Sequence, residues 1–70
     1  MDKKLLTKKE LEIFQLILIN KTDDEIAKQL GVSSKTVKNH ISNVIQKLGS
    51  TNRVNAILEL LLLKEISLDK

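Results

Sequence analysis

The residues from Asp24 to Leu48 read DEIAKQLGVSSKTVKNHISNVIQKL. Gly31 separates two helical segments, and glycine is the residue that most readily adopts the positive φ of a sharp interhelical turn. Ser33 is suited to be an N-cap, because its hydroxyl can accept a hydrogen bond from a free amide in the first turn of the following helix. The pattern predicts a helix-turn-helix whose second helix covers about 34–48.

This second helix has two chemically different faces. At about 100° per residue, its apolar side chains fall on one side and its polar side chains on the other. The polar face combines cations with neutral hydrogen-bonding groups and has no carboxylate, which suits contact with phosphates and base edges. We therefore interpret it as a recognition helix. Its apolar face consists of Val37, Ile41, Val44, Ile45 and Leu48, and its polar face of Lys35, Lys38, Asn39, Ser42 and Gln46.

Two capping boxes predict where the first two helices begin. Thr7 with Glu10, and Thr22 with Glu25, each place a hydroxyl at an N-cap and a carboxylate three residues later. Asn20 is expected to end the first helix, because asparagine is the best substitute for glycine in a left-handed C′ position. These signals predict helix 1 over about 8–19 and helix 2 over about 23–30.

Asp23 and Asp24 fall in the first turn of predicted helix 2. Acidic side chains are favourable there because the N-terminal end of a helix carries partial positive charge. We interpret both residues as helix-end acids, since no third ligand lies at a spacing useful for a metal.

Predicted helix 4 is more apolar than a surface helix needs to be. Gly49 ends the recognition helix and Asn52 is among the capping candidates, so helix 4 is expected over about 53–64. One apolar stripe can face the core, and a second stripe about half a turn away is left over. Monomers rarely expose such a patch, so we predict a homodimer formed through helix 4. The core stripe comprises Ala56, Ile57, Leu60 and Leu63, and the dimerisation stripe Val54, Leu58, Leu61 and Leu62.

The composition favours one small helical domain. With 70 residues and 41% hydrophobic content, residues 1–70 can form a single domain with one thin core. The absence of proline and cysteine favours continuous helices and excludes a disulfide framework or a cysteine-ligated metal. No apolar run approaches the roughly 20 residues of a membrane span, so a cytoplasmic, nucleoid-associated location and no membrane contact are expected.

The positive charge is concentrated in the middle of the chain. The net charge is +3, and every charged side chain between Glu25 and Glu59 is basic. Such a block indicates a polyanionic partner, and an ordinary solvated lysine face is the alternative. The basic side chains of the block are Lys28, Lys35, Lys38, Lys47 and Arg53.

The sequence offers no arrangement typical of an enzyme. There is no nucleophile with a neighbouring base, no acid and base pair and no glycine-rich phosphate loop. The single histidine, His40, lies at the border of the apolar face and is interpreted as structural, with a phosphate contact as the second reading. We expect no catalytic activity, cofactor, metal or small-molecule ligand.

Several motifs together resemble the LuxR/GerE-type helix-turn-helix family over nearly the whole chain. They are Leu6-Thr-Lys-Lys-Glu10, Glu25-Ile-Ala27, Lys35-Thr-Val-Lys-Asn-His-Ile-Ser-Asn43, Lys47-Leu-Gly49 and Asn52-Arg53. The resemblance implies an all-α, four-helix DNA-binding domain that dimerises through helix 4. It is strongest to stand-alone members without a sensor or receiver domain, which implies a regulator of sporulation or germination genes.

The resemblance also implies roles for individual residues. A homodimer would place its recognition helices in successive major grooves of double-stranded DNA, at two half-sites, and RNA polymerase is a partner by analogy alone. Glu10 and Arg53 resemble a family ion pair between helices 1 and 4, so both are expected to be structural, as is Gly31. The base-reading residues would be Lys38, Asn39 and Ser42, and the phosphate-contacting residues Ser33, Lys35, Thr36, Asn43 and Lys47.

Two alternatives remain from the sequence. The last, promoter-reading domain of a sigma factor shares the four-helix pattern, but has no use for a second apolar stripe. A protein-interaction module that sequesters a related regulator would use helix 4 and never contact DNA, which leaves the basic block unexplained. Sedimentation and salt-sensitive DNA binding distinguish these alternatives from a dimeric regulator.

Overall fold

Four helices follow one another within residues 5–68. They are α1 (Lys8–Leu18), α2 (Asp23–Leu30), α3 (Ser34–Leu48) and α4 (Arg53–Leu62). The computed structural model describes residues 5–68; residues 1–4 and 69–70 lie outside the described part. The bounds of α2 and α3 match those expected from the sequence, whereas α1 and α4 end one and two residues earlier.

Each helix begins at a side-chain N-cap. In the first capping box the Thr7 amide donates to Glu10 Oε1 at 2.9 Å, and the Glu10 amide donates to Thr7 Oγ1 at 3.2 Å. Thr22 and Glu25 repeat this reciprocal pair at the start of α2. The remaining two caps are Ser33 Oγ, which accepts from the Thr36 amide, and Asn52 Oδ1, which accepts from the Asn55 amide.

Left-handed residues end the helices. Asn20 has φ 70°, and its amide donates to the Ile17 carbonyl while the Lys21 amide donates to the Leu16 carbonyl. This is a Schellman motif, with Ile19 as the C-cap, so α1 stops at Leu18 rather than at residue 19. Gly31 and Gly49 end α2 and α3 at φ 72° and 68°.

Helix α4 ends with the same hydrogen-bond pattern as α1, but its left-handed residue is a lysine. The Lys64 amide donates to the Leu61 carbonyl and the Glu65 amide to the Leu60 carbonyl, while Lys64 takes φ 61°. Because the chain turns here, the expectation of a helix to residue 64 is wrong. Lysine carries a Cβ and is therefore strained in this conformation.

Substituting Lys64→Gly is expected to stabilise the protein by up to about 1 kcal/mol, because glycine adopts a positive φ without steric cost. Chemical denaturation monitored by circular dichroism measures the change. Asn20→Gly is the matched comparison and should gain less, because asparagine already tolerates the left-handed region. Equal or lower stability of the Lys64 variant would show that this residue is not strained in solution.

Helix α3 lies at the centre of the fold and packs against α1, α2 and α4. Its apolar face supplies Val37, Ile41 and Val44, and the chain on either side of the helices adds Leu6 and Ile66. The tail is fastened to α1 by two hydrogen bonds between the Gln15 side chain and the backbone of Ser67. The buried apolar core comprises Leu6, Ile13, Phe14, Ile26, Ala27, Val37, Ile41, Val44, Ala56, Leu60 and Ile66.

Candidate nucleic-acid interface

The polar face of α3 is open to solvent. Val37, Ile41 and Val44 hold the opposite face of the helix in the core, so the side chains of the polar face project outward. All three residues predicted to read bases are exposed: Lys38, Asn39 and Ser42. Lys35 and Gln46 extend the same face towards the two ends of the helix, and both are exposed.

The residues predicted to contact phosphates fall into different environments. Lys35 and Asn43 are exposed. At the start of α3, Ser33 is exposed and Thr36 half-buried, and their hydroxyls lie 3.0 Å apart in a hydrogen bond. The Ser34 hydroxyl donates a hydrogen bond to the Asp24 carboxylate, which links the start of α3 to α2. The first turn of α3 is thus fixed in place before any ligand binds.

The ammonium group of Lys47 forms hydrogen bonds within the protein. Its Nζ donates to Glu10 Oε1 at 2.6 Å and to the Leu5 carbonyl at 3.0 Å. The prediction that Glu10 pairs with Arg53 is therefore wrong, since the carboxylate of Glu10 lies against the last turn of α3. Lys47 ties α1 and the chain before it to α3, and a phosphate contact by this ammonium remains a prediction.

Arg53 instead binds Asp23. Its Nη1 and Nη2 donate to Oδ1 and Oδ2 of Asp23, both at 3.0 Å, in a bidentate pair that joins α4 to α2. Lys38 Nζ lies 3.9 Å from Asp23 Oδ2. Hydrogen bonds from Arg53 lower the pKa of Asp23 against the effect of burial, and the charges of Arg53 and Lys38 lower it further. Asp23 is thus more than a helix-end acid.

Glu10 is the one buried charged side chain among the described residues. Burial alone raises the pKa of Glu10, but hydrogen bonds from Lys47 and the Thr7 amide, with the charge of Lys47, hold it below the ordinary value of 4.5. A carboxylate whose pKa is lower in the folded state stabilises the fold at pH values above its unfolded pKa. That contribution is lost as the pH falls from about 4.5 through the folded pKa.

Glu10→Gln is expected to lower the free energy of unfolding by about 1 kcal/mol at neutral pH, because glutamine keeps the capping hydrogen bond but loses the charge facing Lys47. The stability should also fall less steeply below pH 4.5. Denaturant titrations between neutral pH and pH 3 measure both effects. The control is Glu12→Gln, whose exposed pair with Lys9 spans 3.8 Å and should contribute little. Equal effects of the two variants would contradict this assignment.

An apolar stripe on α4 remains uncovered in the single chain. Val54, Leu58 and Leu62 follow one another at four-residue spacing and are 64%, 53% and 82% exposed. We call these three residues the α4 stripe. One expectation for this helix is wrong: Leu63, predicted for the core stripe, is exposed because it forms the C-cap beyond the last turn. Leu61 is half-buried and packs against the core, as Ile57 one turn earlier does, and its part in dimerisation remains a prediction.

Some features of this surface gave no signal in the sequence. The pairs of Asp23 with Arg53 and of Glu10 with Lys47 join residues 30 and 37 positions apart, and no local pattern marks such partners.

His40 is half-buried, at the border position expected for it. In residues 5–68, no three His, Cys, Asp or Glu side chains cluster as a metal site would require, and no helix has the length and apolarity to cross a membrane.

This arrangement, a glycine turn followed by a helix with one buried and one solvent-exposed polar face, defines a helix-turn-helix protein. The luxR family of bacterial regulatory proteins matches residues 4–60, and the chain belongs to this family. It is a DNA-binding transcriptional regulator, as the resemblance of its motifs implied.

Two similar proteins differ in how much of their length this chain covers. The spore germination protein GerE of Bacillus subtilis (strain 168) is 53% identical over 66 residues, which cover 94% of this chain and 89% of GerE. The transcriptional regulatory protein LiaR of the same organism is 49% identical over 51 residues, which are only 24% of LiaR. A solved structure of the transcription factor GerE matches with a TM-score of 0.92 and 57% identity, covering 96% of this chain and 100% of that one.

Proposed function

We propose that this regulator binds double-stranded DNA as a homodimer and reads bases with the polar face of α3. The observation that carries this proposal is the solvent exposure of Lys38, Asn39 and Ser42 on a helix whose other face is fixed in the core. The major groove of B-DNA is wide enough to admit an α-helix, so exposed polar side chains on such a helix can reach the base edges. The hydrogen bonds at both ends of α3 hold this helix rigid for the purpose.

The chemistry of the three side chains suits base edges. The Asn39 amide can make paired hydrogen bonds with adenine, and the Lys38 ammonium can donate to the acceptors of guanine. Ser42 has a hydroxyl that can donate or accept, so it selects less strictly. Around them, Ser33, Lys35, Thr36, Asn43 and Lys47 are proposed to contact phosphates, which contributes affinity without sequence preference.

The α4 stripe supports a two-fold dimer. Three exposed leucine and valine side chains on one helix form the kind of patch that soluble proteins cover with a partner. Pairing two copies through α4 would present two α3 helices to one face of DNA, at half-sites separated by about one helical turn, roughly 34 Å. Leu61, at the edge of the stripe, is proposed to join the contact.

The proposed biological role is control of sporulation or germination genes. Its support is the similarity to GerE, which extends over 94% of this chain. RNA polymerase is proposed as a further partner by analogy with other regulators. No step of this proposal requires a cofactor, a metal or catalysis.

Fluorescence anisotropy with labelled duplex DNA, together with sedimentation velocity, tests this function. We expect a dimer at micromolar protein concentration and DNA affinity that falls at least about tenfold between 50 and 200 mM salt, because lysines displace counterions from phosphates. A monomer would favour the sigma-factor type of domain. The absence of salt-sensitive DNA binding would favour a module that only sequesters other proteins.

A further inference from the structure

Asp23 is a rigid carboxylate at the edge of the polar face of α3. Its side chain is only 15% exposed, and both of its oxygens accept hydrogen bonds from Arg53 at 3.0 Å. Two parallel hydrogen bonds fix the orientation of a carboxylate as well as its position. Asp23 therefore cannot turn away when another charged group approaches.

Lys38 is the group that approaches Asp23. Its side chain is 62% exposed, and its Nζ lies 3.9 Å from Asp23 Oδ2. A pair this exposed is weak and breaks readily, because water screens both charges. Leaving Asp23 therefore costs Lys38 a small free energy, while Asp23 stays with Arg53.

We propose that Asp23 is a specificity-determining residue, which holds the ammonium of Lys38 beside the polar face of α3 and compensates its charge towards phosphates. Non-specific binding depends on neutralising phosphates, so a lysine paired within the protein contributes little to it. At the correct sequence, Lys38 stays beside Asp23 and donates its remaining N–H groups to the acceptors of guanine, whereas at arbitrary DNA it must leave Asp23 to reach a phosphate. Asp23 thereby lowers affinity for arbitrary DNA more than affinity for the operator. The inference rests on the proposed function in taking Lys38 as a base reader.

Asp23→Asn tests this inference against Asp24→Asn, which removes the same charge at the neighbouring position. The probes are a duplex selected by the wild-type protein from a random pool and a scrambled duplex of equal composition, with affinities measured by anisotropy at several salt concentrations. Asp23→Asn is expected to bind the scrambled duplex about threefold more tightly, with a salt slope steeper by up to about one, and to lose specificity by a similar factor. An equal gain with Asp24→Asn would overturn the inference.

A double variant separates this inference from the proposed function. In a Lys38→Gln background, the added Asp23→Asn change should no longer raise affinity for the scrambled duplex, and a persisting gain would overturn the role of Asp23. If Lys38→Gln alone leaves base preference unchanged, the base-reading part of the proposed function fails instead. Thermal melting checks that each variant is folded.

A measurement without DNA keeps the inference testable if Asp23→Asn does not fold. The pKa of the Asp23 carboxyl can be followed by NMR in the wild type and in Lys38→Gln, which changes only an exposed side chain. The pKa of Asp23 should rise when Lys38 is replaced, because a neighbouring positive charge favours the ionised carboxylate. An unchanged pKa would show that the two side chains do not interact in solution and would overturn the inference.

Discussion

Replacing Leu58 and Leu62 together by glutamate is expected to leave a folded monomer that binds the operator at least about a hundredfold more weakly. Both side chains are exposed in the single chain, so the core is untouched. Across a two-fold axis, however, the change introduces four carboxylates into an apolar contact, where unpaired charge is strongly unfavourable. Each α3 would then bind its half-site alone, without the gain of roughly 10² to 10⁴ that linked sites provide.

Ile19→Glu is the matched control for this pair of substitutions. Ile19 is 58% exposed and lies just after α1. Its replacement by glutamate introduces the same carboxylate at a similarly exposed apolar position outside the α4 stripe. Sedimentation should show a dimer for the control and a monomer for the double variant, with similar melting temperatures. Dimerisation and operator affinity that survive in the Leu58 and Leu62 variant would contradict pairing through α4.

The single substitutions Lys38→Ala and Asn39→Ala are expected to have the second largest effect on DNA binding. Each good base contact contributes about 1 to 3 kcal/mol of discrimination, and a homodimer makes each contact twice. Each single variant should therefore lose a large part of its preference for the operator over a scrambled duplex and keep the part that the other base contacts provide. Stability should change little, because both side chains are exposed.

Lys21→Ala is the charge-matched control for Lys38. Lys21 is exposed in the turn between α1 and α2. Its replacement by alanine removes the same charge outside the polar face of α3. This variant should weaken binding to operator and scrambled DNA by similar small factors. A gel-shift titration in which Lys38→Ala behaves like Lys21→Ala, and Asn39→Ala like the wild type, would remove α3 from the proposed mechanism.

Local signals allowed much of the fold to be predicted from the sequence. The capping boxes at Thr7 and Thr22 and the left-handed turns at Asn20, Gly31 and Gly49 each depend on residues within one helical turn. The faces of α3 followed from a 3.6-residue period in the same way. The end of α4 could not be predicted, because Lys64 adopts a conformation that lysine rarely takes.

Pairs between distant residues account for the other errors. Glu10, Arg53, Lys47 and Asp23 were all visible as charges, but their pairing depends on how α1, α2, α3 and α4 pack together. Periodicity places a residue on a face of its own helix and gives no information about which neighbour that face meets. The same limit applies to Leu61, whose burial depends on the core at the edge of α4.

Selection of bound duplexes from a random pool, performed with the wild-type protein and with Asn39→Ala, tests most directly whether paired α3 helices read the bases. The wild type should select an inverted repeat with half-site centres about one helical turn apart. The Asn39 variant should lose its preference at one symmetric pair of positions and keep the rest. An identical selected sequence for both proteins, or a single unrepeated site, would contradict base reading by α3 in a dimer.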